Sequence, residues 1–235
     1  MKKQIIILFG PPGAGKGSQS QLLAEKLGLH LFETSKILER EFKKAENLPK
    51  DSEERFTEIE GEKFDIFEEK KNWETGILNS PPWVTYLVKK EVEKLAEQGE
   101  SIVFAGSPRT MYEAERLTPV LEKLFGKENI SIFLIEISAE TTIFRNTHRK
   151  ICELMRHSIL FSKETENLTV CPLDGSALLK RESLDDPETI KVRIKEYLER
   201  TLPMVDFFEK YGIPVKKING ETTISQVHKE IISNL

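Results

Sequence analysis

The 235-residue chain has only two cysteines, Cys152 and Cys171, too few for a disulfide framework. It lacks a basic excess. Lysine and arginine number 35 against 39 aspartates and glutamates, a formal charge of −4, whereas a dedicated nucleic-acid binder usually carries a surplus of cations. Long apolar runs are also missing. The longest early one, Ile5 to Phe9, is stopped by Gly10-Pro11-Pro12. Five residues make neither a signal-peptide core nor a membrane span, which predicts a cytoplasmic protein. No internal repeat is visible. With 38 % apolar and 31 % charged residues, the composition is that of a globular protein. At roughly 100–200 residues per domain, the length suggests one large domain or one domain carrying inserts.

Ile5 to Phe9 is continuous and β-branched, which predicts a strand buried on both faces of a parallel sheet. A glycine-rich turn and a helix from Ser18 to Leu27 follow. Further strands are predicted at His30–Phe32, Ile102–Ala105, Ile130–Ile137 and Ile213–Ile218. Helices are predicted at Trp83–Gln98, Met111–Phe125, Pro187–Tyr211 and Ser225–Leu235. Five strands alternating with helices predict a doubly wound α/β core. Two stretches break the alternation. From Glu39 to Thr75, 21 of 37 residues are charged, which predicts solvated helices in a small insert. From Ile151 to Leu179, strand-like fragments carry both cysteines and predict a compact β-rich insert.

The turn after the first strand reads Gly10-Pro-Pro-Gly13-Ala14-Gly15-Lys16-Gly17-Ser18. Glycines let the backbone curl so that successive N–H groups face phosphate oxygens, and the following helix adds its partial positive charge. Lys16 can reach the transferring phosphates, and Ser18 can face Mg²⁺. Downstream come Gly106-Ser-Pro-Arg109-Thr110, Thr34-Ser-Lys-Ile-Leu, Gly76-Ile77-Leu78, Arg145-x3-Arg149, Arg181, Asp185-Asp186, Arg193 and Ile218-Asn219-Gly220. In this order the set resembles the adenylate kinase family of nucleoside monophosphate kinases over essentially the whole chain.

The resemblance implies a P-loop fold: a five-stranded parallel sheet flanked by helices, with a helical monophosphate-binding insert and a small β-rich lid. The core would comprise residues 1–32, 81–144 and 186–235, the monophosphate-binding lobe 33–80 and the lid 145–185. The reaction implied is ATP + AMP = 2 ADP by direct in-line transfer. A kinase for another nucleoside monophosphate and a weakly active ATP-binding sensor stand as alternatives. Lys16, Arg109, Arg149, Arg181 and Arg193 would neutralise the phosphates, since guanidinium stays charged and pairs bidentately with phosphate. ATP would meet Gly13, Ala14, Gly15, Lys16, Gly17, Ser18, Arg145, Arg149 and Thr222. AMP would meet Thr34, Arg40, Ile77, Leu78, Asn79, Gly106, Arg109, Glu113, Arg181 and Arg193. Mg²⁺ would be held through Ser18 and waters. The resemblance also implies nucleotide partners only, no nucleic acid or membrane, and a monomer.

Four positions depart from the family pattern. Lys36 and Ala105 stand where acids order water around Mg²⁺. Glu39 stands where an arginine is expected, with Arg40 one residue late. Glu113 replaces the glutamine that reads the monophosphate base; an ionised carboxylate only accepts hydrogen bonds. Cys152-x2-Met155 and Cys171-x2-Asp174 resemble the zinc-binding lid of part of the family. Met155 offers a thioether where zinc wants a thiolate. That leaves Cys152, Cys171 and Asp174, with His157 or His148 to complete the set, and the expectation is a lid without structural zinc.

Overall fold

The computed structural model describes residues 3–49, 51–180 and 185–235. Its centre is a parallel sheet built on Ile5–Phe9 (β1), buried at every position. Helix α1 (Lys16–Leu27) follows, then β2 (His30–Phe32) and α2 (Thr34–Ala45). An antiparallel hairpin comes next, β3 (Phe56–Ile59) with β4 (Glu62–Asp65), leading into α3 (Ile66–Thr75) and α4 (Pro81–Glu97). The core resumes with β5 (Ile102–Ala105), α5 (Met111–Phe125), β6 (Ile130–Glu136) and α6 (Ala139–His148). A small antiparallel sheet then joins β7 (Lys150–Cys152) to β8 (Ser158–Ile159) and β9 (Leu178–Leu179). The chain closes with α7 (Pro187–Glu196), α8 (Met204–Tyr211), β10 (Val215–Asn219) and α9 (Ile224–Ser233).

The main sheet runs in the order β10-β6-β1-β5-β2, with every pairing parallel. Alternation along β1 divides the core into two layers. Ile5, Ile7 and Phe9 pack with Phe104, Ile132 and Leu134 under Val88, Leu117 and Phe208. Ile6 and Leu8 face the other way, with Val103, Phe133 and Ile135, against Leu23, Val227 and Ile231. Burying each such side chain stabilises the fold by about 1.5–3 kcal/mol. The chain lays β5 and β2 on one side of β1, and β6 and β10 on the other. That change of direction leaves a crevice beyond the carboxyl ends of the strands, where open α/β sheets bind ligands.

The five predicted core strands are all present. Three elements differ from expectation. Helix α6 was not among the predicted helices. The charged insert contains a hairpin as well as helices. Its turn, Glu60-Gly61, has φ of 53° and 84°, the paired left-handed conformation of a tight two-residue turn. Arg55 pairs with Asp65 across the strands and lies over the Phe56 and Phe67 rings. The single helix predicted over 187–211 is instead two, joined by a π-turn at Tyr197–Thr201 and Pro203.

Candidate active site

A cleft of about 200 Å³ opens at the carboxyl ends of β1 and β5. Gly10, Pro12 and Lys16 line its floor, Gly106, Pro108 and Arg109 one wall, and Arg193, Glu196, Tyr197 and Thr201 another. Ser35, Trp73 and residues Gly76 to Asn79 form the rim contributed by the charged insert.

The loop after β1 is shaped by its glycines. Gly15 caps α1 in the left-handed region at φ 90°. The first N–H groups of α1 have no intrahelical acceptor and face the cleft mouth. Lys16 Nζ donates to the carbonyls of Gly10 and Pro11 at 2.6 and 2.8 Å, so the ammonium lies folded back over its own loop. Burial, followed by the nearby charges of Arg109, Arg193 and Arg149, lowers its pKa from 10.5 to about 7. Four cationic side chains from four separate segments therefore converge here.

Arg109 leans across Gly106. A Cβ at Gly106 (φ +116°) would sit 2.5 Å from the Arg109 guanidinium, so only glycine admits the arginine in this position. Burial pulls Arg109 below its usual range, and Glu113 opposes that. Arg149 Nε and Nη2 donate to Asp185 at 3.2 and 2.5 Å, and Arg193 Nη1 lies 3.7 Å from the same carboxylate. Asp185 thus faces both Arg149 and Arg193 as counter-ion. Arg145 bridges the phosphate loop to the last turn, donating to Gly13 O at 3.4 Å and Gly220 O at 2.9 Å. Thr222 lies on that same turn, its hydroxyl on Asn219 O. Ser18 lies in the first turn of α1. Tyr197, with its pKa raised to about 12 by burial and then by Glu136, keeps its phenolic proton.

Several expected site residues lie elsewhere. Arg40 is half-exposed on the outer face of α2, paired with Glu91 at 3.2 Å, because one residue is about 100° of helix rotation. Arg40 lines a shallow surface depression with Lys36, Glu39, Lys43 and Lys44, away from the cleft. Ser35 reaches the cleft from that segment instead. Glu113 is also displaced: it is 2 % exposed and lies beneath the wall. Its carboxylate accepts from Ser107 Oγ, Arg109 N and Thr110 Oγ1 at 3.0–3.1 Å. It supports the Arg109 loop from below instead of facing a base. Burial raises its pKa against those hydrogen bonds. Thr34 is buried, and among the described residues its hydroxyl has no hydrogen-bond partner. Asn79 is fixed by Glu69 at 2.6 and 2.8 Å. Arg181 lies outside the described residues.

Trp73, Glu196, Tyr197 and Thr201 were not expected. For the last three a signal existed: they follow Arg193 by three, four and eight residues, continuing its helix along the cleft wall. The π-turn is of a kind that often marks functional sites.

The small sheet closes on a second cluster. Cys152 Sγ lies 3.4 Å from His157 Nδ1 and 3.2 Å from Asp174 Oδ2. His157 Nδ1 is 3.2 Å from Asp174 Oδ2 and 3.6 Å from Cys171 Sγ. The four donor atoms all lie within 4.8 Å of one another. Tetrahedral zinc with ligands at 2.0–2.3 Å puts neighbouring donors roughly 3.3–3.8 Å apart, and the four donor pairs at 3.2–3.6 Å come close to that spacing. Of the two histidines considered for the fourth position, His157 is the one that the fold brings to the cluster. Arg156 at φ 57° reverses the chain after Cys152, so Met155 points to solvent at 65 % exposure and His157 returns to the cluster. His148 stands apart, stacked on Phe144 and Phe161. Ser176 holds Asp174 Oδ1 through its N–H and hydroxyl. Those bonds keep the carboxyl well below the usual range and leave Oδ2 to the cluster.

The adenylate kinase family model matches residues 8–213. The chain belongs to the adenylate kinase family. It is 28 % identical to an adenylate kinase of Kosmotoga olearia over 231 residues. It is 30 % identical to adenylate kinases of Staphylococcus aureus and Oceanobacillus iheyensis over 234 and 232 residues. Each alignment covers 98 % of both chains. As a member of the family the chain is a nucleoside monophosphate kinase. Its α/β sheet is the P-loop fold of that family. No helix among the described residues is long and apolar enough to cross a membrane.

Proposed function

We propose that the chain is an adenylate kinase, transferring the γ-phosphoryl group of Mg·ATP to AMP. The observation that carries this reading is the convergence of Lys16, Arg109, Arg149 and Arg193 on one cleft, where burial first and the three arginines next lower Lys16 to about 7. Two facing nucleotides bring several phosphate charges together, and phosphoryl transfer is mainly positioning and charge neutralisation. An AMP phosphate oxygen attacks the γ-phosphorus while the bond to the β–γ bridging oxygen breaks. ADP leaves on one side as ADP forms on the other, with no covalent enzyme intermediate. Lys16 and the N–H groups of α1 hold the ATP phosphates, with Arg149 above them. Arg145 lies along the adenine side, near Thr222. Arg109 holds the acceptor phosphate, and Arg193, with Arg181, spans the two chains.

Residues 33–80 serve as the acceptor lobe, 145–185 as the lid and the remainder as the core. Mg²⁺, when bound with ATP, adds positive charge at the phosphates. Ser18 is the protein oxygen available to it, and Lys36 is turned outward onto Glu33. In the lid, Cys152, His157, Cys171 and Asp174 would hold a structural zinc, which would add folding free energy to that small sheet. The reading carries with it a cytoplasmic monomer that meets neither nucleic acid nor membrane. Burial of Glu113 favours one further reading, in which the acceptor carries a different base, because the expected base reader is withdrawn from the cleft. Product analysis with ATP against AMP, CMP, UMP and GMP tests both. ADP formation from AMP at least tenfold faster than from the others supports the first. Preference for a pyrimidine monophosphate overturns it.

A further inference from the structure

Glu196 stands one helical turn beyond Arg193 and is paired with Arg200. Its Oε2 accepts the backbone N–H of Leu78 at 3.2 Å and Arg200 Nη1 at 2.9 Å. Leu78 lies in the loop that enters the cleft from the acceptor lobe. That loop meets α7 at a second point. At Gly76 (φ +82°) a Cβ would lie 2.7 Å from Thr189 Cγ2 and 3.2 Å from Arg193 Cγ. The loop therefore rests directly against the stem of Arg193. Beyond Glu196, the π-turn carries Thr201, whose hydroxyl donates to Arg109 O at 2.7 Å. One wall segment, 193–201, thus holds the acceptor loop at one end and the Arg109 loop at the other.

We propose that Glu196 is a positioning residue that latches loop 76–79 onto α7, so that seating of the acceptor lobe fixes Arg193 and Arg109 for the monophosphate. A carboxylate suits the task because it accepts from a backbone N–H and a guanidinium together. Arg200 offsets its charge, so the latch adds little repulsion toward phosphates. The latch is a property of the ligand-free chain; its catalytic consequence rests on the phosphoryl-transfer reading above.

Glu196→Ala and Glu196→Gln test it by two readouts. In the ligand-free protein, amide hydrogen exchange in the 66–80 segment should speed several-fold in Glu196→Ala, with the β1 and α9 segments unchanged. In turnover, the same variant should raise KM for AMP about 2- to 12-fold, the range of one lost hydrogen bond, while KM for ATP stays put. Glu196→Gln keeps one accepting oxygen and should recover most of both effects. Unchanged exchange at 66–80 in the alanine variant overturns the latch, whatever the protein does with nucleotides. So does a parallel rise in both KM values. Wild-type protein that makes no ADP from AMP would instead sink the reaction assignment, and the exchange result alone would then decide the latch.

Discussion

Lys16 offers the sharpest test of the charge assembly. Without nucleotide its ammonium is buried, hydrogen-bonded to the Gly10 and Pro11 carbonyls, and crowded by Arg109, Arg193 and Arg149, which brings its pKa to about 7. ATP replaces that crowding with phosphate oxygens, and an anion at hydrogen-bond distance favours the charged form. Binding should then pull a proton from solvent. With a free-state pKa near 7, Lys16 is about one-tenth protonated at pH 8 and about nine-tenths at pH 6. If the bound state restores a value near the ordinary one of about 10.4, uptake is about 0.9 proton per ATP at pH 8 and about 0.1 at pH 6.

Calorimetric titration with a non-hydrolysable ATP analogue, in buffers of different ionisation enthalpy, reads this number as the slope of observed heat against buffer heat. Lys16→Met should abolish the uptake and nearly abolish turnover while the protein stays folded. Zero uptake at pH 8, or equal uptake in Lys16→Met, would refute the reasoning. Linkage gives a second check. Between pH 7 and about 10 the unfolded chain holds a proton on Lys16 that the folded, ligand-free chain lacks, so stability from this group rises with pH across that window. In excess ATP that rise should flatten.

Three further outcomes are expected. Gly106→Ala puts a Cβ 2.5 Å from the Arg109 guanidinium; displaced by even 1 Å, the arginine should cost about 100-fold in kcat/KM for AMP, with ATP affinity measured by titration unaltered. Glu113→Gln removes one accepting oxygen from a buried network. It should lower stability by about 1 kcal/mol in urea denaturation and leave the ranking of AMP over CMP, UMP and GMP intact; a changed ranking would return Glu113 to base reading. Purified protein should carry about one zinc per chain by elemental analysis. His157→Ala should lose most of it along with the chelator-sensitive part of the melting temperature, whereas Met155→Ala should change neither.

The core was legible because its physics is local. A five-residue β-branched run stopped by glycine and proline can hardly be anything but a buried strand before a turn, and β1 is that. The hairpin at 56–65 escaped because its turn is Glu60-Gly61, and glutamate is a poor advertisement for a left-handed turn residue. Its strands are also studded with charges that read as helix surface. Pro203 did announce a break in the long 187–211 helix, but the π-turn before it has no sequence signature. Glu113 was open to a second reading all along. Thr110-Met-Tyr-Glu113 has the spacing of a capping box at the start of α5, and the structure uses it in that way, reaching one residue further to Arg109 N.

The lid cluster teaches the complementary point. Counting ligands by a fixed Cys-x2-Cys spacing finds three donors and a thioether. The chain instead spends two more residues and one left-handed turn at Arg156 to bring an imidazole to the same place. Spacing is a proxy for geometry, and a backbone excursion can replace one ligand position with another. The same logic governs the cleft. Lys16, Arg109, Arg149 and Arg193 come from four separate segments of the chain, and nothing in their spacing requires them to meet. What brings them together is the change of strand order around β1, which gathers the ends of β1 and β5 with the end of α6 and α7. Asp185 then eases the ligand-free state by setting one carboxylate against two of the four cations. Arriving phosphates must compete with that carboxylate for Arg149 and Arg193, and a polyphosphate, which brings more charge than a single phosphate, competes the better.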